Sequence, residues 1–133
     1  MRVLKGEFGK KGYQTVYSFT LINDNGMEIS CINYGCIITK IMTPDHYGNF
    51  ENVVIGHNSL DKYLSDSYFL GAIIGRVAGR IRARTFELDG KAYTLANNEN
   101  NNHLHGGTKG FNQVLWDAES FENEQEIGCV FSI

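Results

Sequence analysis

The chain has 133 residues, of which 42% are hydrophobic, with one proline and a formal charge of −3. That is enough apolar material for one compact domain, and it excludes a disordered segment or a Pro-rich linker. Acidic and basic residues are interspersed, so no one-signed stripe exists for nucleic acid or an anionic membrane surface, and neither is expected as a partner.

Residues 1–7 break into charge and glycine before any apolar run of signal-peptide length, and no later stretch reaches membrane-spanning length. The expected location is the cytoplasm. Cys31, Cys36 and Cys129 are an odd number of cysteines, which favours reduced thiols over a disulfide framework. A Cys31/Cys36 metal pair lacks a second pair at zinc spacing, and Cys31 falls on the apolar phase of a strand.

In chain order, Tyr17, Phe19 and Leu21 alternate with Ser18 and Thr20, and Met27, Ile29 and Cys31 alternate with Glu28 and Ser30. This period of two predicts a half-buried hairpin. A two-residue Asn25-Gly26 loop places Leu21 opposite polar Ser30, whereas a three-residue Asp24-Asn25-Gly26 loop places Leu21 opposite Ile29 and Phe19 opposite Cys31. The second is preferred, with Gly26 in the left-handed position. Ile37-Ile38-Thr39-Lys40-Ile41 and Asn52-Val53-Val54-Ile55 read as short strands. Residues 59–64 read as one helical turn capped by an N-terminal Ser or Asn. At Asp89-Gly90 a two-residue turn sets Phe86 opposite Tyr93, with Leu88 and Leu95 on the same face. Residues 97–102, mostly asparagine, read as a loop. Glu119, Glu122, Glu124 and Glu126 read as a solvated turn. The chain closes on residues 128–133, the opening of a further apolar strand, so a truncated domain is expected. Its open strand edges would invite self-association or the missing carboxyl-terminal part.

Two segments carry chemistry: residues 75–81, Gly-Arg-Val-Ala-Gly-Arg-Ile, and residues 102–107, Asn-His-Leu-His-Gly-Gly, followed by Gly110-Phe111 and Trp116. They frame the Phe86/Tyr93 hairpin, so pairing of the strands on either side of it would bring Arg80 near His105. A guanidinium fork and an imidazole suit the vicinal hydroxyls and ring oxygen of a sugar. Gly106 and Gly107 allow a sharp turn, or close approach of a ligand, beside His105.

The order and spacing of these residues, with Leu88-Asp89-Gly90-Lys91, Leu95 and Asn97 between them, resemble the aldose 1-epimerase or galactose mutarotase family. Asn33-Tyr34-Gly35-Cys36-Ile37 and Val53-Val54-Ile55-Gly56 are similar to that family's early strands. The resemblance implies an all-β fold, an antiparallel β-sandwich of the galactose mutarotase type. Residues 1–133 would be the amino-terminal portion of that single domain. It implies interconversion of the α and β anomers of an aldohexose such as galactose or glucose, with no cofactor and no metal. By position, Arg80 matches the family's substrate-binding arginine, and His105 the first of its two active-site histidines. Gly79 stands where some members carry asparagine, so one polar sugar contact is expected to be missing. His103 matches no catalytic position and reads as a loop histidine.

Mutarotation needs a base on the anomeric hydroxyl and an acid on the ring oxygen. The resemblance places the base, a late glutamate, and the acid, a second histidine, beyond Ile133, together with an aspartate that orients the sugar. These 133 residues alone are therefore expected to be inactive. Two other readings stand beside this one. A hexose-phosphate epimerase relative would grip phosphate with Arg80, Arg82 and Arg84 alternating on one strand face. A non-catalytic sugar-binding module would stack Phe111 or Trp116 on a pyranose.

Overall fold

In the computed structural model, which describes all 133 residues, the alternating segments pair as read. β1 (Arg2–Lys11), β2 (Gln14–Ile22), β3 (Glu28–Ile32), β4 (Ile37–Pro44) and β5 (Phe50–Asn52) form one antiparallel sheet in sequence order. Phe19 lies opposite Cys31 and Leu21 opposite Ile29. Asn23 closes the three-residue loop: its N–H donates to Met27 O at 3.0 Å, and Gly26 takes φ +83°.

The sheet has two different faces. On one, Val16, Ile32 and Ile37 pack with Leu60 and Tyr63 of α1 (Leu60–Leu64) in a buried cluster of six residues that also includes Tyr34. Ser59 occupies the N-cap position, but its hydroxyl makes no capping bond. Packing of Leu60 and Tyr63, rather than the predicted cap, holds this single turn, as expected for a helix too short to be stable alone. The other face meets a hairpin of β10 (Asp117–Glu122) and β11 (Ile127–Ser132), where the Phe19 and Phe131 rings meet edge to face at 6.1 Å. Cys31 lies against Cys129 on this side. Burial, reinforced by the neighbouring thiols of Cys129 and Cys36, pushes its pKa up to about 12. It stays protonated at neutral pH and packs as a small apolar side chain. All three cysteines are free.

Four further strands are short: β6 (Arg80–Ile81), β7 (Thr85–Leu88), β8 (Lys91–Thr94) and β9 (His103–Leu104). β6 pairs with β9, and β7 pairs with β8 with Phe86 opposite Tyr93. The two rings stack at 5.1 Å and 11° but remain exposed, so the hairpin stands off the body.

Three sequence expectations are corrected. Val53-Val54-Ile55 is not a strand, because the Asn52 side chain captures the main chain of Val54 and ends the ladder there, leaving Val53 and Ile55 exposed. Glu119 and Glu122 lie within β10 rather than in a turn, and Glu122 accepts the Val3 N–H at 2.9 Å. Arg80, Arg82 and Arg84 do not alternate on a strand, since Arg82–Arg84 is a tight turn with Ala83 at φ +51° and Arg84 at φ +52°.

With so small an apolar cluster, polar contacts fix much of the tertiary arrangement. Buried Asn33 is the clearest case. Its Oδ1 accepts the Tyr17 N–H at 2.8 Å, and its Nδ2 donates to Trp116 O at 3.0 Å. A second clamp lies beside α1, where the Asp66 carboxylate sits 3.1 Å from His57 Nε2 and also accepts the Leu70 N–H. Burial works to raise the Asp66 pKa, but hydrogen bonds from His57 and from the Leu70 and Tyr68 main chains, with the His57 charge, hold it below the ordinary value.

Asn33→Ala leaves buried polar groups of Tyr17 and Trp116 unpaired and is expected to cost about 2 kcal/mol in chemical denaturation. For Asp66 the folded pKa is depressed. Its contribution is therefore complete above the unfolded carboxyl value of about 3.9 and is lost as pH falls through the lower folded value. Urea midpoints measured on descending pH should fall more steeply for the parent chain than for Asp66→Asn below about pH 4. Parallel curves would contradict the assignment.

Candidate functional site

The site grows from the β6–β9 pair. Arg80 is the cross-strand partner of Leu104, which puts Gly79 beside His105. Two hydrogen bonds join that pair: the His105 N–H donates to Gly79 O at 3.0 Å, and the Gly79 N–H donates to His105 Nδ1 at 3.0 Å. With Nδ1 engaged as an acceptor, the neutral imidazole carries its hydrogen on Nε2. The ring also meets Phe69 edge to face at 5.0 Å. Residue 79 thus acts through its backbone, at φ +80°, whatever contact an asparagine side chain there would add.

Arg80 is oriented by another residue. Its Nε lies 3.1 and 3.2 Å from the two Glu99 oxygens, and its Nη2 lies 2.9 Å from Oε1. Hydrogen bonding to Arg80, supported by Asn102 and the guanidinium charge, lowers the Glu99 pKa. The pair is exposed, so its consequence is orientation more than stability. The Nη1 amine and the outer Nη2 hydrogen stay free for a ligand. No hydrogen bond links the guanidinium to the His105 ring. The fold brings the two segments together, while each side chain has its own local anchor.

The loop at residues 97–102 supplies the anchor of Arg80 and also holds β9. Asn98 brackets Leu104, accepting its N–H at 2.8 Å and donating to its carbonyl at 2.9 Å. The amide thereby does for β9 what a third strand would do. His103 is not a loop histidine: it is buried in β9 opposite Ile81, and its Nδ1 donates to Ala96 O at 3.0 Å. The two histidines therefore have opposite neutral tautomers. His103 lines a cavity of about 380 Å³ with Arg76, Val77, Phe86, Leu95 and Phe111, where the Arg76 guanidinium stands 5.2 Å over the Phe111 ring. Neither Arg80 nor His105 lines that cavity.

Gly106, next to His105, fixes how closely the two motif segments approach. It adopts φ +89°, and a Cβ there would lie 1.7 Å from the Gly75 carbonyl oxygen, so the two motif segments touch main chain to main chain. Phe111 N–H also donates to Gly75 O, at 3.2 Å. Sequence reasoning missed Phe69 and Glu99. Neither belongs to a motif, and each reaches the site through a loop whose path the local sequence does not indicate.

Comparison with known proteins adds to this geometry. The chain matches the family described as Aldose 1-epimerase over residues 17–133. The chain belongs to that family. It is 43% identical to the galactose mutarotase of Bos taurus over 119 residues, covering 90% of this chain and 34% of the relative. It is 41% identical to the galactose mutarotase of Sus scrofa over 130 residues, covering 96% and 38%. Among solved structures, galactose 1-epimerase from Lactobacillus acidophilus NCFM superposes with a TM-score of 0.81 at 29% identity, covering 95% of this chain and 36% of that one. The family chain therefore spans about a third of the length of the curated relatives it matches, in their amino-terminal part. The all-β, antiparallel class is that of the epimerase neighbours. No helix of this family member is long and apolar enough to cross a membrane.

Gly106→Ala should separate the two motif segments, because both the backbone conformation and the Gly75 carbonyl oppose a Cβ there. Gly79→Ala has a similar φ but open space around it, so only the left-handed strain of about 1 kcal/mol applies. Thermal melts should show the larger loss for Gly106→Ala. Equal losses would mean that the segments do not touch.

Proposed function

We propose that this chain forms the Arg80/His105 side of the aldohexose site of an aldose 1-epimerase, whose reaction interconverts the α and β anomers of a sugar such as galactose or glucose. The observation that carries the reading is the β6–β9 pairing. It brings the main chain of Arg80 beside that of Leu104 and His105, with the guanidinium oriented by Glu99 and the imidazole left with a hydrogen on Nε2. Arg80 would donate to sugar hydroxyls through its unengaged N–H groups. His105 would donate from Nε2 to a sugar hydroxyl, while the acid on the ring oxygen is the second histidine that the family resemblance places beyond Ile133.

Ring opening also needs a base on the anomeric hydroxyl. The acidic residues of the β10–β11 hairpin do not supply it, because Glu119 and Glu122 run along β10 and Glu122 is engaged by Val3. The 133 residues are therefore expected to hold a hexose without turning it over. The phosphate-gripping alternative loses its premise with the turn at Arg82–Arg84. A cytoplasmic location is supported by the three free thiols, which a reducing compartment keeps.

The test pairs a galactose titration, followed by the NMR signals of His105 and the Arg80 side chain, with the optical rotation of fresh α-galactose. Binding that is weakened about tenfold in His105→Ala, without faster rotation decay, is the expected result. Absence of galactose binding at these signals would overturn the assignment. Acceleration lost in His105→Ala would show that the chain carries its own acid and base.

A further inference from the structure

The five-stranded sheet has a second feature that the Arg80/His105 site does not use. On the face that buries Val16 and Ile32, one end of the sheet is polar. Thr20, Ser30 and Lys40 are cross-strand partners in one row, with Ser18 in the next. Ser30 is only 7% exposed, although its place in the alternation is a polar one. Its hydroxyl lies 2.9 Å from that of Thr20, and Thr39, bulged out of the ladder, donates to its carbonyl at 3.2 Å. These groups floor a cavity of about 400 Å³.

The wall of this cavity is the segment that leaves β5. Asn52, Gly56, His57 and Asn58 line it, and Phe8 supplies its single apolar side chain. The wall is held from behind by Tyr63, whose hydroxyl accepts the His57 N–H at 2.9 Å while its ring meets the imidazole at 5.0 Å. Asp66 fixes the ring through Nε2 at 3.1 Å. A ligand would therefore meet a preformed surface, which lowers the ordering cost of binding.

Charge decides the class of ligand. Lys40 is paired with Glu28, and His57 with Asp66. An anion would have to displace a carboxylate already in place. What remains is a neutral array of hydroxyls and amides beside one aromatic ring, with donors and acceptors spaced across strands. The geometry points to a second carbohydrate site: we propose that this trough binds a neutral polyhydroxylated ligand, of mono- or disaccharide size, independently of Arg80 and His105. The two cavities share no lining residue.

The probe is methyl α-D-glucopyranoside, a locked glycoside that cannot mutarotate, titrated into the isotope-labelled 133-residue chain. Saturable shifts of the Thr20, Ser30 and Asn58 amides are expected. The double variant Thr20→Val with Ser30→Ala should weaken them about tenfold, and His105→Ala should leave them unchanged. Removing both hydroxyls together leaves neither one unpaired, so the fold should survive. Should it fail, His57→Gln, which keeps a polar side chain but loses the ring, is expected to weaken the same shifts. Three results would each overturn the inference: no saturation at these amides, unchanged affinity in a folded variant, or tighter binding of glucuronate than of the glycoside. Loss of galactose binding at His105 with the trough intact would count against the first site alone.

Discussion

Asn33 is the constraint on which the arrangement of this chain depends. Its side chain ties β2 to the segment at Trp116, and its backbone completes the link, donating to Tyr17 O and accepting the Trp116 N–H at 2.8 Å. From there the connection runs outward without a gap. Trp116 Nε1 donates to Phe111 O, Phe111 N–H donates to Gly75 O, and Gly75 O lies close against the Gly106 main chain next to His105. The next residues add to it: Gly35 donates to Val114 O and accepts the Ile73 N–H. A buried amide thus passes the position of the main sheet to a histidine more than seventy residues away in sequence.

Hydrogen bonds have this role because the apolar cluster is small and lies around α1, away from the motif segments. The β6–β9 pair is two residues long on each side, too short to fix itself. Its geometry comes from Asn98 on Leu104, Glu99 on Arg80 and Gly79 on His105. An asparagine-rich loop that looks featureless as sequence is therefore the scaffold of the site. Buried amides suit this work because each offers donors and an acceptor to main-chain groups that no strand reaches.

The same sheet divides its two faces by chemistry. Phe19, Cys31 and Phe131 join the sheet to the β10–β11 hairpin, whereas the opposite face changes from the Val16/Ile32 cluster to the Thr20/Ser30/Lys40 row within one ladder step. Both motif histidines are fixed in complementary states, His105 with hydrogen on Nε2 and His103 with hydrogen on Nδ1. The His105 ring is held by Gly79 and Phe69, and the His103 ring by Ala96.

Much of this was legible in the residues. Asp24-Asn25-Gly26 and Asp89-Gly90 set the registers at Phe19/Cys31 and Phe86/Tyr93, because turn residues specify loop length and loop length specifies which side chains face each other. The adjacency of residues 80 and 105 followed from placing a hairpin between two strands. What stayed hidden depends on partners distant in the chain. Asn52 ends a run that its β-branched neighbours would continue, the turn at Ala83 and Arg84 breaks an alternation of arginines, Ser30 is buried on a polar phase, and Glu99 claims Arg80. Periodicity and turn chemistry are local, so one strand at a time reveals them. Side-chain capture of backbone and charge pairing across loops exist only once the whole chain has closed on itself, and they decided where each motif residue points.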